Sequence, residues 1–518
     1  MAFRWFVTVL IFALLAAARA GAAETAPTAL LPDPDTLEAR VEAAAGMQPP
    51  RERIALDYTA GSVGGSSVEY RDGKNDRTLE TFGPFHFEYG EYDGQAWNQN
   101  KNGETVLVQP DPGHATLDEI RTSVTRVARP FDAYVISKLN VRGDGTRTYV
   151  DPASYRILRE ERTVGGQTTV TTYDDFRTTL GKTRPWRRHS EDGYPDDTQE
   201  SRINAIDDAV APADVKITGG KPFVEFPPGA TSVKLPVAMA TDGKFLVRVT
   251  IGGRGLDFVL DTGASGITLD DDVARALGLK VYARHSDPFN AGCISESETI
   301  VPEMRVGDLT MHDVAISTTP DIGIEVPQAY KAVGLLGFDF IADLALKFDY
   351  DKGAVTAMAF GSFTPPADQR TIALPVRIGT GAPETDVTVD GALGERFVLD
   401  TGGAGGLMIF DYFARRHPEA LADEGGRSDQ DGYFQGVGGD FKADPLQLRS
   451  VKIGQVDFTD FVAYRVRGAS YDVNEDGIIG PSFFHYFTLY TDYAHSEVYL
   501  TPNDAGGAAM KTRLPKAR

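Results

Sequence analysis

The hexapeptide "FVLDTG" occupies residues 258–263 and again residues 397–402. In each copy an apolar triplet carries an aspartate toward the interior, and a threonine and a glycine then turn the chain away. A single Asp-Thr-Gly is weak information in a chain of 518 residues. Two copies in the same surroundings are not, because a buried carboxylate is costly unless something uses or satisfies it.

The surroundings do repeat. Asp261 and Asp400 lie 139 positions apart, and "VRVTIGGRGLDF" ahead of the first is matched by "DVTVDGALGERF" ahead of the second, with Gly255 on Gly394. Behind each aspartate the spacing of a short helix follows, Val273-Ala274-Arg275 against Phe413-Ala414-Arg415. That match is offset by one more residue, so the second turn, 402–406, is longer than the first, 263–266. Further on, "VGLLGFDFIADLALKFDYDKGAV" is echoed by "DGIIGPSFFHYFTLYTDYAHSEV", which sets Gly337 on Gly480 and Tyr350 on Tyr493. Each unit therefore reads strand, acidic turn, helix, hairpin, then two apolar residues and a glycine, an internal repeat of a complete structural unit.

These motifs resemble the aspartic peptidases, and the framework over roughly residues 245–502 is similar to the bacterial retropepsin-like branch, here with two units fused in one chain. The resemblance implies that Asp261 and Asp400 are a catalytic pair. It implies that Thr262, Gly263, Thr401 and Gly402 hold the active loops, and that Gly337 and Gly480 buttress them from below. Gly436, Gly438 and Gly439 resemble a flap that closes over an extended peptide; residues 290–293 are a weaker match for its counterpart. The implied fold is a pseudo-twofold bilobal acid protease, and the implied partner is a polypeptide substrate.

The chemistry asks for such residues. Peptide hydrolysis without a covalent intermediate needs a base to activate water and an acid to protonate the carbonyl oxygen and the leaving amine. Two carboxylates about 3 Å apart supply both, because like charges that close share a proton and titrate as a unit. The five-residue turn after Asp400 departs from the first unit and bears on how firmly that side chain is held. No cofactor is called for.

Composition bounds the rest. A formal charge of −22 disfavours nucleic acid and anionic membrane surfaces. Arg4 and the apolar run 5–17, followed by small residues up to Ala23, predict a signal peptide over 1–23 and a periplasmic or secreted protein with no membrane span once the signal is removed. One cysteine, Cys293, excludes an internal disulfide. From Arg53 to about Val215 the sequence alternates between turn signals, which predicts a meandering antiparallel sheet, preceded by a helix at 36–45 with Asp35 as its N-cap. "EYDGQAWNQ", "YVDPASYRILRE" and "TTYDDFRTTLG" resemble periplasmic lipoprotein carriers. That resemblance implies a lipid or lipoprotein ligand for this domain; a domain that only docks the enzyme or another protein is the alternative.

The expected architecture is mainly β. An N-terminal half-open antiparallel β-barrel with a helix spans 30–215, a linker 216–243, retropepsin-like lobes 244–362 and 363–504, and a flexible tail 505–518, in a monomer with an internal pseudo-dimer. The expected function is an exported aspartic endopeptidase, with a catalytically inactive peptide- or lipid-binding clamp as the alternative. Other chemistry finds no support. The run 472–477 opens like a calcium loop but has Phe483 at its twelfth position, so it reads as an acidic turn. There is no His-Glu-x-x-His pair for zinc, so no metal is expected, and Ser265 lacks a nucleophile elbow.

Overall fold

The computed structural model describes residues 31–108, 120–140, 143–164, 167–194, 197–289, 292–320, 322, 331–378, 381–421, 432–436, 439–466 and 475–506. The expected signal peptide and residues 507–518 of the expected tail lie outside them.

The N-terminal domain is a thirteen-stranded antiparallel sheet made of two meanders. The first runs from Arg51–Ala60 to Thr105–Leu107 and the second from Arg121–Val127 to Gln199–Asp207. They join where the first strand of one pairs with the last strand of the other, Arg53 opposite Asp207 and Ala60 opposite Gln199. The outermost strands of the order, Thr105–Leu107 and Arg121–Val127, belong one to each meander. The helix is Pro34–Ala45 and its N-cap is Asp33, not Asp35. The carboxylate of Asp33 accepts from the amide of Thr36 at 2.9 Å, and Pro34 suits the first helical position because its missing N–H is not needed there. Leu37, fully buried, packs this helix on Ile136 and Val150.

Each following unit closes into a six-stranded barrel. In the first, Phe245–Ile251, Arg254–Leu260, Gly334–Leu336, Ile267–Asp270, Leu309–Thr319 and Gly292–Val306 pair in succession, and Gly292–Val306 returns to Phe245–Ile251. The second repeats the circuit with Pro383–Val389, Ala392–Leu399, Gly477–Ile479, Leu407–Ile409, Val456–Val466 and Gly439–Ile453. The recurrent phenylalanine has a structural reason. Phe258 pairs in parallel with Gly334, and Phe397 with Gly477. A Cβ on either glycine would come within 2.1 Å of the Phe258 ring or 2.6 Å of the Phe397 ring. Each ring therefore lies across a bare backbone, where its full burial contributes about 1.5–3 kcal/mol.

A six-stranded sheet joins the units. Its order is Ser232–Lys234, Ala354–Ala359, Leu344–Asp349, then Phe487–Asp492, Glu497–Pro502 and Ile372–Pro375, three strands from each half. The central seam pairs Phe348 with Leu489, and the amide of Leu346 donates to Thr491 Oγ1 at 3.0 Å. Residues 216–243 are thus not a bare linker. Ser232–Lys234 and Val237–Met239 are strands of the first unit, placed as Ile372–Pro375 and Arg377–Ile378 are in the second. Pro236 lies between Ser232–Lys234 and Val237–Met239.

The N-terminal sheet docks on the first lobe. Phe82, Phe85 and Phe87 are buried with Ala315 of that lobe, with Tyr282 and Ile300 packed alongside; the rings of Phe85 and Tyr282 meet edge to face at 5.7 Å.

Candidate active site

Both acidic loops are seated by the same backbone bonds. The amide of Asp261 donates to the Leu336 carbonyl at 3.0 Å and that of Asp400 to the Ile479 carbonyl at 2.9 Å. From below, the amide of Gly337 donates to the Gly266 carbonyl at 3.1 Å and that of Gly480 to the Gly406 carbonyl at 2.7 Å. The apolar-apolar-Gly segments thus sit directly under the loops. The extra residue of the second loop is absorbed between Gly402 and Gly406, with the seating of Asp400 unchanged.

The two threonines interlock across the lobes. Thr262 Oγ1 donates to the Leu399 carbonyl at 2.6 Å and Thr401 Oγ1 to the Leu260 carbonyl at 2.9 Å. In return each hydroxyl accepts from the opposite threonine amide, at 3.0 Å for Thr401 N to Thr262 Oγ1 and 3.1 Å for Thr262 N to Thr401 Oγ1. Four buried hydrogen bonds therefore fix one loop against the other.

This brings Asp261 and Asp400 within hydrogen-bond reach of each other. The amide of Gly263 donates to Asp261 Oδ1 at 2.8 Å and that of Gly402 to Asp400 Oδ1 at 2.9 Å. Each carboxylate also lies over the other loop's glycine. A Cβ on Gly263 would stand 2.5 Å from Asp400 Cγ, and one on Gly402 2.3 Å from Asp261 Cγ. Only glycine fits at either position.

Burial raises both acids, and unequally. Burial and then the charge of Asp261 push Asp400 well above the carboxylate range. For Asp261 burial is opposed by the hydrogen bond from Asp400, the amides of Gly263 and Ala264, and the positive charge of Lys244. The two acids therefore titrate as one coupled pair. A protonated acid beside an ionised one is the state that both gives and takes a proton.

Hairpins stand where the repeat expects them in both units. Gly432–Gly436 turns into Gly439–Ile453 with Gly436 opposite Gly439, and Val281–Phe289 turns into Gly292–Val306 with Phe289 opposite Gly292. Gly438, Asn290 and Ala291 lie outside the described residues.

Tyr350 and Tyr493, noted in the sequence only as matching repeat positions, were missed as neighbours of the site. Each is buried at the end of a strand of the joining sheet, and burial, then the charge of one aspartate, raises its hydroxyl: Asp400 for Tyr350, Asp261 for Tyr493. Their shared offset was the signal. In the run read as an acidic turn, residues 472–474 lie outside the described residues. Asp476 is fully buried and accepts from the amides of Glu395 and Arg396 at 2.8 and 3.1 Å and from the guanidinium of Arg416. It is a structural brace. Among the described residues no group of His, Cys, Asp and Glu could hold a metal ion, and no helix is long and apolar enough to cross a membrane.

No curated protein matches the chain. Among solved structures it is similar to an aspartic proteinase from Irpex lacteus, at 14% identity and a TM-score of 0.35, over 54% of this chain and 99% of that one. Residues 247–340 match the aspartyl protease family. Over that span, which holds Asp261, Thr262, Gly263 and the buttress Gly337, this chain is similar to the aspartyl proteases.

Proposed function

We propose that this chain is an aspartic endopeptidase in which Asp261 and Asp400 hydrolyse peptide bonds together. The observation that carries the reading is the threonine interlock, which sets each carboxyl group over the glycine of the other acidic loop. Ionised Asp261 takes a proton from a water molecule as the water oxygen attacks the scissile carbonyl. Asp400 gives its proton to the carbonyl oxygen. Collapse of the resulting diol breaks the C–N bond, with the proton on Asp261 passing to the departing amine and the proton of a diol hydroxyl returning to Asp400. The two hairpins, one per lobe, are the segments that would cover an extended polypeptide, read mainly through its backbone.

The apolar run 5–17 and the small residues after it support export to the periplasm or beyond. For the N-terminal domain, the packing of Phe82, Phe85 and Phe87 on the first lobe supports docking over acyl-chain binding. So do Glu52 and Glu80, buried within its sheet and engaged by Arg184 and Tyr58 respectively. The test is incubation of the purified chain with denatured proteins, with and without a statin-type transition-state mimic. Cleavage that the mimic stops supports the peptidase; binding of the mimic with no cleavage supports an inactive clamp.

A further inference from the structure

A turn of the N-terminal domain reaches under the first active loop. Residues 100–104, between Gln95–Gln99 and Thr105–Leu107, form a tight polar loop in which Asn100 Oδ1 accepts from the amides of Asn102 and Glu104 at 3.0 and 3.1 Å. Its side chains engage the lobe. Asn100 Nδ2 donates to Asp339 Oδ1 at 2.7 Å, and Asn102 Nδ2 to Asp339 Oδ2 at 3.1 Å. Asn102 also pairs with Ala315 as a strand would, accepting from its amide at 2.8 Å and donating to its carbonyl at 3.1 Å. Lys101 is ion-paired with buried Glu298 and donates to Ser317 Oγ at 3.3 Å.

Asp339 is well placed to transmit this. It is buried, two residues beyond the buttress Gly337, and its Oδ2 would stand 3.5 Å from a Cβ on Gly266, the last residue of the Asp261 loop. The turn therefore grips the floor on which that loop rests.

We propose that the turn 100–104 is a positioning element of the active site, so that cleavage requires the N-terminal domain to be docked. The inference rests on the aspartic peptidase reading.

The experiment uses the full chain. Asn102→Ala is expected to lower kcat about tenfold to a hundredfold with KM within about twofold, and to speed amide exchange in both 337–343 and 261–266. Asn102→Asp adds a carboxyl beside Asp339, so it should cleave like the native chain at about pH 4, where it is protonated, and like Asn102→Ala at about pH 7. Should Asn102→Ala fail to fold, the pH response of Asn102→Asp decides alone. Unchanged kcat in both variants, or a response of Asn102→Asp that is the same at both pH values, overturns the proposal. Exchange is read independently of cleavage. If the native chain cleaves nothing, the peptidase reading fails, while faster exchange at 261–266 in Asn102→Ala still supports the positioning role and unchanged exchange there overturns it.

Discussion

Thr262 and Thr401 each use one hydroxyl three ways: as donor to the carbonyl two residues before the other threonine, as acceptor from the other's amide, and thereby as the bolt that sets the separation of Asp261 and Asp400. The dyad geometry is a property of this interlock before it is a property of the aspartates.

Replacing Thr401 by Val keeps the shape and removes the bolt. The Leu260 carbonyl and the Thr262 amide are left buried without partners, which costs about 1–3 kcal/mol each. Chemical denaturation should show a loss of roughly 2–6 kcal/mol for Thr401→Val, with Thr401→Ser close to native. Equal stability of the Val and Ser variants would mean that these bonds contribute nothing.

Asp261→Asn and Asp400→Asn each leave one acid where two are required. Each should lower kcat by at least about a hundredfold, with circular dichroism unchanged. Asp400→Asn should also melt higher than the native chain at neutral pH, because a carboxyl raised by burial and by Asp261 opposes folding once it must ionise. A fully active Asp400→Asn would remove the shared-proton mechanism.

Gly402→Ala places a methyl 2.3 Å from Asp261 Cγ, so the loop or the carboxylate must move. The same substitution at Gly406, whose Cβ would meet its nearest neighbours at 3.8 Å, makes ordinary contacts. Steady-state kinetics should therefore show Gly402→Ala depressed by at least about a hundredfold in kcat and Gly406→Ala near native.

Stability should peak in mild acid. Burial pushes Asp339 up to about 6 and Glu475 up to about 7, so each binds more protons folded than unfolded and stabilises below about pH 4. That contribution is lost as the pH rises through about 6 to 7. On the other side, the hydrogen bonds from Arg370 draw Asp368 down to about 2, giving stability that is present above the ordinary carboxylate value and lost as the pH falls toward about 2. Melting temperatures measured across this range should rise and then fall; a maximum at or above neutrality would contradict the assignment.

The acidic loops were legible because their chemistry lies within six consecutive letters, written twice. The buttresses followed from a constant offset, the second hairpin from its glycines, and the first was only a weak match. What the linear pattern hid is non-local or conformational. Asn102 and Asp339 are 237 positions apart, and neither carries a motif. The strands Ser232–Lys234 and Val237–Met239 are three residues each and edged by proline, so their composition signals a connector, while their pairing with Ala354–Ala359 and Phe245–Ile251 makes them part of a lobe. Asp33 displaced Asp35 as helix cap because Pro34 belongs inside the first turn.

The joining sheet has a consequence for how the two repeats depend on each other. Its central seam, where Lys347, Phe348 and Asp349 face Tyr490, Leu489 and Thr488, is contributed half by one copy and half by the other. Severed from its sibling, either copy would present a raw β margin with unspent amides and carbonyls, a template for a twin of itself. The fused gene supplies that twin permanently at fixed stoichiometry. Each copy is then free to diverge, as the longer turn after Asp400 and the asparagine-gripped floor beneath Asp261 already do.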